Sequence, residues 1–158
     1  MNSEEIKNFF AYDFRKFLKI DFLKYIFFSL DGRIDRKTWW YSKLYLYIVA
    51  FLFMIPIGAL FSALSFDQND LAKVIVFFSL IFSAFSVFLD AKRLQDRSIT
   101  GLLAVVPYLL AIPQYFKLIP QDVAQFYVWI IFGFNVWIFV NAGFLKGDEG
   151  DNKYGPKP

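Results

Sequence analysis

The sequence predicts an all-α membrane protein with four transmembrane helices, an N-terminal amphipathic helix and both termini in the cytoplasm. Of its 158 residues, 58% are hydrophobic and 22% aromatic, a composition too apolar for an ordinary soluble domain. Long apolar runs separate the charged segments, and about 20 apolar residues suffice to cross a bilayer as a helix. Fifteen of the 17 Lys and Arg residues fall in segments that this topology places on one side. Basic loops near span ends stay on the cytoplasmic face.

The first element, residues 3–30, is predicted to be the amphipathic helix. One helical face carries apolar residues and the opposite face carries basic ones: Ile6, Phe10, Phe14 and Phe17 against Arg15, Lys16 and Lys19. Such a helix lies in the plane of the interface with its Phe face in the acyl boundary. Alternatively, it packs on the cytoplasmic end of the bundle. Both interpretations stay open, because periodicity identifies an apolar face and not its partner.

The four predicted spans are residues 44–66, 71–89, 102–119 and 123–145, and a tail of residues 146–158 completes a single domain, 1–158. The first and last spans have 23 uncharged residues each, enough for a core of about 30 Å. The third contains Pro107 and Pro113, which suit a kinked span or a re-entrant segment. Because the fourth must cross, only a crossing third segment keeps the basic tail inside. Aromatic residues at the start of the first span (Trp39, Trp40, Tyr41, Tyr45 and Tyr47) are typical of an interfacial belt.

The residue types that are missing exclude several functions. The chain has no Cys and no His, which excludes disulfides, thiolate-bound zinc and the usual hydrolase triads. Its basic residues are interleaved with acids, so we do not expect a nucleic-acid partner. The acids of the tail lack the ligand spacing of a calcium loop. We therefore predict no catalytic residue, no cofactor and no metal site.

Three charged stretches flank the spans and are predicted to meet on the cytoplasmic side. This charged cluster comprises Asp31, Arg33, Asp35, Arg36, Asp90, Lys92, Arg93, Asp96, Arg97, Asn152 and Tyr154. Alternating signs favour ion pairs in which guanidinium groups grip carboxylates from other segments and fix the helix ends. The other interpretation is an anion site for a phosphorylated lipid headgroup, with Arg33, Arg36, Arg93 and Arg97 as donors.

Small and polar residues inside the spans are predicted to be helix contacts rather than a polar path. They are Gly58, Ser62, Ser79, Ser83, Ser86, Asn135 and Asn141. Small residues let membrane helices approach closely, and hydroxyl and amide groups hydrogen-bond across the interface. The long apolar runs hold no formal charge, which argues against an ion-coupled pump.

Three motifs in the charged stretches carry a family resemblance. Residues 31–41, Asp-Gly-Arg-Ile-Asp-Arg-Lys-Thr-Trp-Trp-Tyr, resemble the Gly-Arg-Ile-Ser-Arg and Phe-Trp-Trp of the bacterial inner-membrane family known as domain of unknown function 805, the YhaH/YhaI-like proteins. Residues 92–96, Lys-Arg-Leu-Gln-Asp, are similar to its Arg-Arg-Leu-His-Asp, and residues 152–158 to its terminal Asn-Arg-Tyr-Gly-Pro-Asp-Pro. The resemblance implies four membrane helices, an inner-membrane location and no established activity. Gln95 stands in place of the family's His, so a role that needs proton transfer is in doubt.

These observations favour a non-enzymatic structural or interaction component of the bacterial inner membrane, with a charged cytoplasmic face. Its partners are then the bilayer, anionic lipid headgroups, a protein or further copies of the chain. The first alternative is a small oligomeric channel or transporter. A second is a lipid-acting membrane enzyme that uses Asp31, Asp35, Asp90 or Asp96 as acid or base, although no nucleophile–base pair is recognisable by spacing.

Overall fold

The computed structural model describes residues 14–64, 67–116 and 118–158, and these residues are all-helical, with no strand. A short 3₁₀ helix, Phe14–Leu18, precedes α1 (Ile20–Phe28), α2 (Arg36–Ala63) and α3 (Gln68–Gln95). A second 3₁₀ helix, Gly101–Val105, leads into α4 (Val106–Tyr115), and α5 (Gln121–Gly143) follows. The tail contains one isolated backbone bridge, between Asn152 and Gly155.

Local sequence explains where the two longest helices begin. The Asp35 carboxylate accepts a hydrogen bond of 2.8 Å from the backbone N–H of Thr38, which satisfies one of the unpaired donors at the start of α2. Asp67 accepts a bond of 3.3 Å from the N–H of Asn69 in the same way at the start of α3. Because Asp35 caps α2, this helix begins eight residues before the uncharged run that predicted it.

Three helices in the described part of the chain are long and apolar enough to cross a membrane. They are α2, α3 and α5, and they contain most of the predicted spans 44–66, 71–89 and 123–145. The predicted span 102–119 is instead divided into the second 3₁₀ helix and the ten residues of α4. Pro107 lies in the first turn of α4, a position where its missing N–H costs nothing, and Pro113 lies inside the same helix.

The described residues form two compact units. The first comprises residues 14–29 and 40–89, and the second comprises residues 30–39 and 90–158. The second unit therefore contains the first turn of α2, the last turn of α3 and all of α4 and α5. All three predicted charged stretches belong to this second unit.

In the first unit, aromatic side chains hold α1 and the preceding 3₁₀ helix against α2 and α3. The ring of Phe17 stacks on that of Tyr45 with centroids 4.8 Å apart, and Phe27 lies 6.2 Å from Tyr45 and 5.8 Å from Phe85. We call Phe17, Phe27, Tyr45 and Phe85 the aromatic cluster. The Lys43 ammonium also donates a hydrogen bond to the Ser86 hydroxyl, so this unit joins α2 to α3 by a polar contact as well.

The predicted amphipathic helix, residues 3–30, is described only in part. Ile6 and Phe10 lie outside the described residues. Within them, Phe17, Ile26 and Phe27 are buried, in agreement with packing on neighbouring helices. One predicted feature of the belt is wrong: Trp39 and Tyr41 are buried, with 2% and 8% of their surface exposed. The burial of Trp39 leaves no polar group unpaired, because its indole N–H donates to the Asp90 carboxylate, at 2.8 Å.

Candidate functional site

The candidate site lies in the second unit and centres on one buried carboxylate held by two guanidinium groups. Asp96 has 3% of its surface exposed, Arg33 3% and Arg93 0%. One carboxylate oxygen of Asp96 accepts from Arg33 Nε at 3.1 Å and lies 3.0 Å from Arg33 Nη2. The other oxygen accepts from Arg93 Nη1. Burying one carboxylate without partners would cost several kcal/mol, so the two guanidiniums are what make its burial tolerable.

Arg33 connects this carboxylate to the tail. Its Nη1 donates to the carbonyl oxygens of Gly150 and Gly155, at 2.8 and 3.1 Å, and its Nη2 donates to that of Asp148, at 3.1 Å. A guanidinium has five N–H donors, and these three bonds together with the two contacts to Asp96 account for five acceptor contacts. Arg33 therefore fastens three carbonyls of the tail to a side chain that follows α3.

Four further contacts come from three arginines near the C-terminal end of α5. Arg93 donates to the carbonyls of Ala142, at 2.9 Å, and Leu145, at 2.5 Å. Arg36 donates to Phe144 O at 3.0 Å, and Arg97 donates to Lys146 O at 3.2 Å. The last four carbonyls of a helix have no partner inside it, and the negative end of the helix dipole attracts cations. Arg93 thus binds one of these last carbonyls of α5, that of Ala142, and the arginines together also bind the three residues that follow the helix. We call Arg33, Arg36, Arg93, Arg97 and Asp96 the arginine cluster.

The tail folds back so that its carbonyls reach Arg33. Asn152 donates from its amide to Gln95 O, at 2.9 Å, and to the Asp148 carboxylate, at 2.8 Å. Its own side-chain oxygen accepts from the N–H of Tyr154, at 2.9 Å, which forms a local turn. Gly155 has a φ of +128°, a conformation that side chains rarely permit, and this lets its carbonyl face Arg33.

Close approach of the backbone fixes another tail position. The backbone N–H of Asp148 donates to Asp96 O at 2.8 Å, so the chain at Gly147 passes directly over Asp96. A Cβ added at Gly147 would collide with the Asp96 carboxylate. By contrast, a Cβ at Gly150 would meet nothing within 4 Å.

The pKa values of two aspartates of the site, Asp96 and Asp148, are shifted in opposite directions. Burial raises the pKa of Asp96, and the charge of Arg93 and the hydrogen bond from Arg33 oppose this shift. Hydrogen bonds from Ser98 and Asn152 lower the pKa of Asp148. The Ser98 hydroxyl lies 2.5 Å from the Asp148 carboxylate oxygen.

The other predicted members of the charged cluster lie at the edge of this arrangement. The Asp90 carboxylate accepts a hydrogen bond from Trp39, and Asp35 caps α2. Asp31 is exposed, and its negative charge interacts with the positive charge of the fully buried Lys92. Tyr154 is half-buried, and the Lys153 ammonium lies 5.0 Å from its ring centroid.

The predicted intramembrane contacts are more dispersed. A Cβ at Gly58 would meet nothing within 4 Å, and Ser62 is exposed. Ser79 and Asn135 hydrogen-bond to carbonyls of their own helices, Val76 and Ile131, and Ser83 is half-buried. Ser86 receives the bond from Lys43. Asn141 accepts from Arg97 Nη1, which makes it a neighbour of the arginine cluster.

Sequence reasoning did not single out Gly147, Asp148 or Ser98. Their contacts depend on how the tail returns to the end of α3, which no local pattern specifies. The signal in the sequence is a Gly next to an acid, separated from the last apolar run by Lys146.

In the described residues, no group of three or more His, Cys, Asp or Glu side chains could hold a metal ion. The arrangement instead presents hydrogen-bond donors that are already satisfied by carboxylate and carbonyl oxygens of the same chain.

Comparison with known proteins agrees with the motifs. No curated protein and no solved structure matches the chain. The family model described as a protein of unknown function (DUF805) matches residues 27–156. The matched region begins in α1, contains every residue of the arginine cluster and ends after the tail turn. The chain therefore belongs to the DUF805 family, whose function is unknown.

Proposed function

We propose that this chain is a four-span bacterial inner-membrane protein with both termini in the cytoplasm, and that it is a non-enzymatic structural or interaction component. In this proposal the arginine cluster fastens the cytoplasmic ends of the helices and the tail into one charged face. The observation that carries the proposal is the double role of Arg33 and Arg93. Each donates to the Asp96 carboxylate and, with its other N–H groups, donates to carbonyls of the last helix or the tail.

The path of the chain supports a fourth crossing by the predicted span 102–119. The segments before α2, after α3 and after α5 all contribute to the arginine cluster. Since α5 is long enough to cross, a chain that leaves the cluster after Arg97 and returns at Ala142 needs one more crossing to come back. The second 3₁₀ helix and α4 together rise about 25 Å, close to a hydrocarbon core of about 30 Å.

Contacts between α4 and α5 agree with this path. The Tyr127 hydroxyl donates to Leu110 O at 2.7 Å. Leu103 lines an apolar groove of ≈ 400 Å³ together with residues of α5 that include Gly133 and Trp137. Position 103 therefore faces the later part of α5 and position 110 the earlier part, as in two antiparallel neighbours.

The contacts of the guanidiniums favour a structural role over an anion site. The four arginines that sequence offers as anion donors all donate to oxygens of this chain. A cleft of ≈ 270 Å³ beside them is lined by Arg36, Lys146 and Lys157, but also by Asp35, Asp148 and Glu149. Acids on the same wall oppose a phosphate through like-charge repulsion.

Single-cysteine labelling tests the topology, because the chain has no Cys of its own. We would place cysteines at the exposed positions Asp31, Asp67, Pro120 and Asp151 and treat intact cells and inverted vesicles with a membrane-impermeant maleimide. Four spans predict that positions 31 and 151 react only in inverted vesicles and that 67 and 120 react in cells. A three-span protein places 31 and 151 on opposite sides, and that result would refute the proposal.

A lipid titration tests the role of the arginine cluster. We expect the melting temperature of the purified protein to change equally in wild type and in Arg36→Gln when phosphatidylglycerol is added. A rise that is present in wild type and absent in Arg36→Gln and Arg97→Gln would replace the structural role with an anion site.

One observation favours the alternative of a small oligomeric channel or transporter. In the most apolar 18-residue stretch of α2, only 6% is buried within the described chain, and the same fraction holds for α5. These surfaces contact either lipid or further copies. Stoichiometry in native lipid and solute flux into liposomes distinguish them, and a monomer without flux removes the alternative.

A further inference from the structure

We infer that α1 and the preceding 3₁₀ helix dock on the anionic cytoplasmic surface of the membrane through a face that is exposed among the described residues. The inference rests on the proposed membrane placement of α2 and α3, but it does not depend on the role of the arginine cluster. The residues that carry it are Leu18, Ile20 and Phe28, with Lys16, Lys19 and Lys24 as the charged partners of the lipid.

The contacts of α1 place it at the level where the chain enters the membrane. Phe17 and Phe27 both stack on Tyr45, which is the second residue of the uncharged run 44–66. Phe27 and Phe28 also contact Phe85, with centroids 5.8 and 5.3 Å apart. Phe85 lies in the second uncharged run, five residues before Asp90. Helix α1 is therefore beside two spans at the boundary between their charged and uncharged parts.

Two faces of α1 have different surroundings. Ile26 and Phe27 are 0% and 6% exposed and belong to the face that packs inside the unit. Ile20 and Phe28, which lie eight residues apart and share the other face with Lys24, are 62% and 66% exposed. Leu18 is 86% exposed in the adjoining 3₁₀ helix. Within residues 14–64, 67–116 and 118–158, the helix thus buries one apolar face and exposes a second one at interface depth.

Charge identifies the occupant of the open face as an anionic lipid surface. Residues 14–28 contain four basic side chains, Arg15, Lys16, Lys19 and Lys24, and one acid, Asp21. The cytoplasmic leaflet is negatively charged and attracts basic segments that lie next to a span. Helices that combine exposed apolar residues with Lys and Arg lie in the headgroup region, and their binding depends on lipid composition. Lys24, between the two exposed apolar residues, can extend its ammonium to the headgroups while its methylenes remain in the apolar layer.

Spin labels at single cysteines test this inference in the full-length protein. Labels at positions 20 and 28 are compared with a lipid reference at Ile48, which is 50% exposed in α2, and with an aqueous reference at the exposed Asp151. The measurement is the ratio of collision rates with oxygen, which enriches in lipid, and with a nickel chelate, which stays in water. It is made in phosphatidylcholine bilayers with and without phosphatidylglycerol.

We expect the ratio at positions 20 and 28 to be several-fold higher than at 151 and to approach that at 48. We expect phosphatidylglycerol to raise it, and the triple variant Lys16→Glu, Lys19→Glu, Lys24→Glu to abolish that rise. The matched control is Lys73→Glu, a surface lysine of α3, which should leave the rise unchanged.

Three outcomes would overturn the inference. Free access of the nickel chelate to positions 20 and 28 in both lipids shows that the face is in water. Protection from both reagents shows that protein, such as a second copy, covers it. A ratio that is unaffected by phosphatidylglycerol removes the anionic lipid as its partner. If position 48 itself behaves like 151, the membrane placement of α2 fails, which is a separate failure from that of α1 alone.

Discussion

The arginine cluster of the second unit and the aromatic cluster of the first unit fasten chain segments by different physical means. The first holds a tail and a helix end through charge-assisted hydrogen bonds to carbonyl oxygens. The second holds α1 through ring contacts against α2 and α3. A charge-assisted network fixes geometry closely, because each donor left without an acceptor is costly. Ring packing depends on contact area and is less specific in direction.

The two units should therefore be destabilised by different kinds of substitution. The arginine cluster should fail when one member changes charge, since the remaining ions are buried together. The aromatic cluster should fail by loss of volume and should respond little to salt or pH.

The charge reversal Arg93→Glu should be the most damaging change. It places a second carboxylate beside Asp96, and it removes the donors to Ala142 and Leu145. Breaking one partner of a buried ion pair costs about 3–5 kcal/mol, and a reversal should cost at least as much. Arg33→Glu should act similarly. Thermal unfolding in detergent and the yield of folded protein measure the loss.

The matched control for this reversal is Lys73→Glu. Lys73 also pairs with an aspartate three residues away, Asp70, at 2.7 Å, as Arg93 does with Asp96. Its side chain, however, is 76% exposed, and exposed pairs contribute about 0–1 kcal/mol. Equal losses in Arg93→Glu and Lys73→Glu would mean that the arginine cluster does not hold the fold.

Truncation of Phe27 tests the aromatic cluster. Phe27→Ala removes the ring that contacts both Tyr45 and Phe85, and we expect a loss of about 3 kcal/mol. Phe28→Ala is the control, since Phe28 is 66% exposed and contacts Phe85 only from the edge of the unit. The Phe27→Ala loss should be the same at low and high salt. A loss that depends strongly on salt would contradict the assignment of the aromatic cluster to ring packing.

The sequence predicted the helical fold because long uncharged runs have a simple physical meaning. A bilayer requires apolar length, so α2, α3 and α5 could be located to within several residues from the absence of charge alone. The segment 102–119 was harder, since its prolines allow several backbone paths. Tertiary packing also matters at its start, since a Cβ at Gly101, the first residue of the second 3₁₀ helix, would lie 3.0 Å from Ala91 Cβ.

The sequence predicted which segments form the site, but not which atoms accept hydrogen bonds from its arginines. Alternating charges identified the segments that meet, yet they assigned carboxylates as the main acceptors of the arginines. In the structure, backbone carbonyls of the α5 terminus and the tail take most of these donors. Backbone acceptors have no sequence signature, because every residue carries one. Residue type alone likewise assigns Trp39 to the interface, because its contact with the Asp90 carboxylate, 51 residues away, has no local pattern.

Two glycines of the tail, Gly147 and Gly150, differ in the space around them and so test how closely the tail approaches Asp96. The expected loss of stability is smaller than for the charge reversals in the arginine cluster or the truncation in the aromatic cluster. Gly147→Ala places a methyl group against the Asp96 carboxylate, which Arg33 and Arg93 hold in position, so the carboxylate cannot move aside without breaking its pairs. Overpacking of this kind costs about 1–3 kcal/mol. Gly150→Ala is the matched control, because its Cβ meets nothing within 4 Å. Similar melting temperatures for the two variants would contradict the close passage of the tail over Asp96.

The smallest expected effect is a pH dependence of tail docking. Since hydrogen bonds from Ser98 and Asn152 lower the pKa of Asp148, its ionised form stabilises the docked tail above the ordinary Asp range of about pH 4. That contribution is lost as pH falls through the lowered pKa. Asp148→Asn keeps the hydrogen-bond geometry without the charge, so the advantage of wild type over this variant should shrink as the pH falls from the ordinary Asp range of about 4 through the lowered pKa of Asp148.

Asp96 contributes with the opposite sign, since its raised pKa makes ionisation less favourable in the folded chain. Asp96 keeps its arginine partners in both wild type and Asp148→Asn, so the change introduced at position 148 is the loss of the Asp148 charge. Labelling of a cysteine at Asp151 reports release of the tail. If the difference in labelling between the two proteins grows on acidification, Asp148 does not hold the tail through its charge, and docking then depends on the arginine contacts alone.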